Sequence, residues 1–173
     1  MIRNTVFIGL LVGFLLVGST SMSSTPQEQE QDRAALAKAF TGAKVSLEQG
    51  LATATREGKA LSAKFEIEDG RLQLSVYRVK DGQFAEVILD PDTGAVAQVD
   101  PITSGGDYTE AQNQNAPIAK AKRSLRAAIA QVVKGNPGFR AVSIVPSLKD
   151  GHPVAEIALV KGKEWKTASE KLD

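Results

Sequence analysis

The residues able to do chemistry are few and scattered. His152 is the only histidine, and it stands between Gly151 and Pro153 in a turn-like setting. No cysteine occurs, which excludes thiolate catalysis, disulfides, Cys-based zinc sites and lipid attachment through an N-terminal Cys. One histidine cannot supply both the base of a nucleophilic triad and a metal cluster, and no nucleophile-type Ser motif surrounds it. It reads as an exposed turn residue. Asp90, Asp92 and Thr93 could suggest a calcium loop, but such a loop needs regularly spaced oxygen ligands and a closing Glu, and here Gly94 follows at once. A hairpin turn fits better. Glu66 and Glu68 share a strand face and could mimic a paired-carboxylate site; the simpler reading is the solvent face of a half-buried strand. These residues give no catalytic, cofactor-binding or metal-binding set, and the expectation is a non-enzymatic protein without a cofactor.

Lys120, Lys122, Arg123 and Arg126 form the one local charge bias, either a solvated helix face or a docking point for an acidic partner or lipid headgroups. Trp165, the only tryptophan, is expected in the core or at a sheet edge, with an interface anchor as the alternative. Over all 173 residues, 21 Lys+Arg balance 20 Asp+Glu for a net charge of +1, which supplies no footprint for nucleic acid. The content of 42% hydrophobic and 24% charged residues is that of a globular chain.

The N-terminus reads as an address. One Arg precedes an uncharged apolar run over residues 6–18, followed by a Ser-rich stretch. That order is a secretory signal, with Val17 and Ser19 placed for a cut before Thr20. As a helix the run would reach only about 20 Å, short of a hydrocarbon core about 30 Å thick. An uncleaved membrane anchor is the alternative. The protein is therefore expected to be periplasmic or secreted, or else anchored and facing outside the cytoplasm.

The elements that must position these residues alternate in period. Thr25-Pro26-Gln27-Glu28 opens a helix expected to reach Phe40, and Ser46-Leu47-Glu48-Gln49 opens another over residues 47–57. Period-2 stretches follow, split by Asp69-Gly70 and Asp81-Gly82, and Asp90-Pro91-Asp92-Thr93-Gly94 turns the chain into a further strand: an antiparallel meander. Residues 101–115 read as a linker. Ile118, Leu125, Ile129 and Val132 then mark one apolar face of a single helix over residues 116–133. Three more strands are separated by Asp150-Gly151 and Lys161-Gly162. The order helix, strand, Asp-Gly turn, strand, Gly turn, strand thus occurs twice. The fold class is α+β, tandem units of a helix packed on an antiparallel β-sheet. The divisions are 1–24 for signal and linker, 25–100 for a helix and first unit, 101–115 for the linker, and 116–173 for the second unit.

The stretches Val45-Ser46-Leu47-Glu48-Gln49, Leu72-Gln73-Leu74-Ser75-Val76-Tyr77-Arg78-Val79 and the close Leu89-Asp90-Pro91-Asp92-Thr93-Gly94-Ala95-Val96 resemble the PepSY domain family. The likeness spans about residues 44–100. The second unit looks like a degenerate copy without the Thr-Gly close. The resemblance implies an extracytoplasmic module that binds an unidentified protein partner and restrains or modulates a peptidase, with no catalytic residue to carry over. The alternative is a structural or envelope-associated protein that meets the membrane only through an uncleaved N-terminal segment.

Overall fold

The computed structural model describes residues 25–173; the expected signal segment and its cut before Thr20 lie outside the described residues. The chain runs α1 (Pro26–Phe40), α2 (Leu47–Ala54), β1 (Lys59–Glu68), β2 (Arg71–Lys80), β3 (Gln83–Leu89), β4 (Val96–Ile102), α3 (Gly105–Lys120), α4 (Leu125–Gly135), β5 (Arg140–Lys149), β6 (His152–Lys161) and β7 (Glu164–Lys171), with a short 3-10 turn after α2. The fold is α+β, as the patterning implies. Among the described residues its sheet has seven antiparallel strands in the order β4-β3-β2-β1-β5-β6-β7.

The turns follow from their residues. Asp69, Asp81 and Asp150 take φ of 50°, 51° and 52°, each followed by a glycine at positive φ. Two successive left-handed residues make the tight turn whose twist matches a hairpin, and Asp-Gly tolerates it best.

The two repeats are halves of one sheet, joined by the antiparallel pairing of β1 with β5. The offset that carries Asp69-Gly70 onto Asp150-Gly151 also carries the bulge at Leu61 onto the bulge at Val142. It carries Ala63 onto Ile144, and these two residues face each other across the β1–β5 pair. A local pseudo-two-fold axis therefore passes through the middle of the sheet. The helices obey it too: Ser46 and Ser124 cap α2 and α4, each accepting the backbone N–H three residues on, Gln49 and Ala127, at 3.2 Å.

α2 and α4 touch each other and cover one sheet face. Leu47, Leu51, Leu74, Ile129, Ile144, Ile157 and Leu159 are essentially inaccessible there. Gly50 lies so close to Leu74 that a Cβ would sit 2.2 Å from its Cδ2, so a glycine in mid-helix is the cost of tight packing. Ser75 and Tyr77, alternating with Leu74 and Val76, point to the opposite face, where α3 crosses the sheet and Tyr77 donates a 2.9 Å hydrogen bond to Asp107.

Two sequence expectations change here. Residues 101–115 are no loose linker: β4 extends to Ile102 and α3 begins at Gly105. Its buried residues Ala111, Gln114 and Ile118 keep helical spacing. The single helix over residues 116–133 is two helices. The Lys122 and Arg123 N–H groups both donate to the Leu172 carbonyl, at 2.7 and 2.9 Å, pulling the connector into a strand-like contact. Ser124 then opens α4 by its capping bond. Ile118 is still buried with Leu125, Ile129 and Val132, but from a different helix.

Candidate functional site

α1 is held to the sheet through its C-terminal end. A reciprocal Thr25–Glu28 capping box starts it, and its first ten residues are exposed. At the far end Phe40 is buried edge-on against Phe65, ring centroids 4.7 Å apart. The Arg140 guanidinium lies 4.2 Å over the Phe40 ring and donates to the carbonyls of Phe40, Ala43 and Val45 at 3.3, 2.9 and 3.4 Å. One side chain of the second half thus stacks on an aromatic face and satisfies a helix end. No sequence motif announces that role.

The N-terminal end of α1 stands beside the β6–β7 turn and leaves a groove of about 890 Å³. Arg33, Ala34, Ala37 and Lys38 line it from the helix, Lys163 and Trp165 from the turn and β7. Trp165 is half-buried on an edge strand, so the sheet-edge reading holds, and its ring also borders this groove. Arg33, Lys38 and Lys163 face a single acid on the lining, Glu30, and none of the three forms an ion pair among the described residues. Arg33 continues into a smaller hollow with Lys166 and Thr167. The arrangement is a shallow trough with apolar walls and an excess of positive charge.

A second polar constellation sits on the α3 side of the sheet. Ser75 Oγ lies 2.6 Å from Glu66 Oε1 and 2.6 Å from Glu86 Oε1. Gln73 Nε2 donates to Glu66 Oε1 at 3.1 Å and to Ser75 Oγ at 3.3 Å, and Lys64 Nζ pairs with Glu66 Oε2 at 2.5 Å. Glu86 is 6% exposed. Burial pushes its carboxyl above the usual range, with Glu66 and Asp107 adding to the rise; the Ser75 bond and Lys64 oppose it. Burial, then Asp107 and Glu86, likewise raises the Tyr77 hydroxyl. Glu66 is therefore not on a simple solvent face, and its carboxyl partner is Glu86 on another strand. Strand pairing, invisible in one sequence, makes that contact.

The remaining candidates have local roles. Asp90 accepts the N–H groups of Asp92 and Thr93 and the Thr93 hydroxyl, at 3.0, 2.8 and 2.9 Å, which holds its carboxyl below the usual range. It closes the turn whose Pro91 carbonyl receives the N–H groups of Lys44 and Val45. His152 is exposed at the start of β6, with Nδ1 2.8 Å from Asp173 Oδ2. The cationic cluster is divided: Lys120 ends α3, Lys122 and Arg123 lie in the connector, and Arg126 is on α4. Arg123 is held by Glu170 and the Lys171 carbonyl, and Lys120 Nζ lies 3.4 Å from the Gly151 carbonyl. The four do not form one helix face.

No family model matches the chain, and no curated protein matches it. Among solved structures, a candidate lipoprotein from Clostridium difficile 630 aligns with 74% of this chain and 95% of its own, at 12% identity and a TM-score of 0.41. That degree of likeness assigns neither a family nor a function.

Proposed function

We propose that the protein is a non-enzymatic binding module acting outside the cytoplasm, and that the groove between α1 and β7 takes an acidic, extended segment of a protein partner. The observation that carries this is the groove itself, with three cations that form no ion pair among the described residues beside a half-buried Trp165. Opposite charge speeds and orients encounter, and an aromatic wall supplies contact area. The Ser-rich, apolar N-terminal pattern supports the location. The twice-used helix-plus-strands unit and the Thr93-Gly94 close support a PepSY-like reading, in which the bound partner is a peptidase held in check.

A photo-crosslinking residue at Lys163, compared with one at Asp81 on the far β2–β3 turn, tests the proposal in envelope fractions. Position 163 is expected to capture one partner, Arg33→Glu with Lys38→Glu to abolish the capture, and position 81 to capture nothing. Equal capture at both positions, or capture indifferent to the charge reversal, would contradict it.

A further inference from the structure

Ser75 has one hydroxyl proton, yet its oxygen lies 2.6 Å from a carboxyl oxygen on each side. It can donate to only one of them. If both carboxyls were ionised, the other contact would set two acceptors against each other at hydrogen-bond distance. The contact is favourable only when that carboxyl carries a proton and donates to Ser75. The surroundings decide which one. Glu66 sits among donors: Lys64 on one oxygen, Gln73 and Ser75 on the other. Glu86 is buried and, among the described residues, Ser75 is its one hydrogen-bond partner. Around it stand Lys64 and Glu66 from β1, Tyr77 from β2, Asp100 opposite it in register on β4, and Asp107 from α3. The negative groups outnumber the one lysine.

We propose that Glu66, Ser75 and Glu86 form a proton-binding site in which a proton held on Glu86 and shared through Ser75 keeps the first turn of α3 seated on the sheet. The link to α3 runs through Tyr77, the register neighbour of Glu86, whose hydroxyl donates to Asp107. Loss of the proton places a second charge beside Glu66 and faces Asp107 with another anion. The direction of the pH effect follows. Glu86 binds its proton more tightly in the folded chain than in the unfolded one. Its contribution to stability is complete below the ordinary Glu value and is lost as pH rises through the elevated folded value. A protein outside the cytoplasm meets the pH of its surroundings, so such a site reports it.

Carbon-detected NMR of the glutamate side-chain carboxyls, on the full chain across pH 4–9, tests the proposal. One carboxyl carbon, identified by its absence in Glu86→Gln, is expected to remain protonated after the exposed glutamates have ionised. The amide signals of residues 105–109 should move with that same midpoint. Glu86→Gln, whose amide can donate to Ser75, should fold and should lose both the titration and the alkaline fall in melting temperature. Should that variant fail to fold, Ser75→Ala gives a second reading, because removing the bridge should displace the late-titrating signal. All glutamates titrating together in the ordinary range would overturn the site. A late titration that leaves the amides of residues 105–109 unmoved would overturn its coupling to α3.

Discussion

The two halves of the sheet share a path but not a surface. At the positions related by the pseudo-two-fold offset, the first half carries Lys64, Glu66, Gln73, Ser75 and Tyr77, and the second carries Val145, Ser147, Val154, Glu156 and Ala158. On the first half the acids flank a buried hydroxyl. On the second, the position of Ser75 is taken by Glu156, which is exposed. Among the described residues only the first half has a fourth strand, which pairs with β3 and places Asp100 opposite Glu86. The second half ends at β7, whose edge is open among the described residues and whose Trp165 borders the α1 groove. The same scaffold thus supports a closed polar cluster on one side and an open cationic trough on the other. A fold's path is set by turns, caps and buried apolar positions, which the halves have in common. Its chemistry is set by the alternate positions, which they do not.

The largest test of the shared scaffold is a pair of truncations. Leu47 and Leu125 each follow a capping Ser and are 0% and 5% exposed. Leu47→Ala and Leu125→Ala should each cost about 2–5 kcal/mol in urea unfolding, the first at least as much as the second. A mild loss at Leu125 alone would mean that α4 is not the counterpart of α2. The same offset carries Lys59 onto Arg140, and Lys59 donates one bond, to the Ile118 carbonyl at 2.9 Å, where Arg140 donates three and stacks on a ring. Arg140→Ala removes three hydrogen bonds and a ring contact. It should cost about 2–3 kcal/mol by the same measurement and raise amide exchange over residues 40–45.

Gly94 belongs to the first half only. At φ of 72°, with Val45 Cγ2 3.4 Å from where a Cβ would stand, Gly94→Val should lower stability by about 1–3 kcal/mol. Thermal melts with and without calcium should agree, because the Asp90 carboxylate is already engaged by the turn. The smallest effect is expected from Lys122→Glu with Arg126→Glu. Both positions are exposed, and the pair should change stability by no more than about 0.5 kcal/mol. A collapse of that variant would show the connector to be a structural hub.

Much of the scaffold was legible in the sequence, for reasons the halves make plain. Asp-Gly pairs, the Thr25 and Ser46 caps and period-2 runs are local signals, and each appears where its residues imply. α3 was obscured by Gly105-Gly106 and the amides around Asn113, although Tyr108, Ala111 and Ile118 kept a helical spacing. The break at residues 121–124 depends on Leu172, far along the chain, and no local pattern encodes it. The sites were less legible for the same reason. Glu86 alternated as an ordinary strand residue until the β2–β3 register placed it beside Ser75. The groove needs α1 and the β6–β7 turn to meet, and those are separated by most of the chain.

The central claim is that two unlike halves form one sheet and therefore one cooperative unit. Urea unfolding followed at both ends tests it most directly: Trp165 fluorescence for the second half, and backbone amide signals of β2 and β3 for the first. A single shared midpoint is expected, since β1 and β5 are neighbours in the sheet and α2 packs on α4. Loss of the Trp165 signal at lower urea, with the β2 and β3 amides still native, would contradict it.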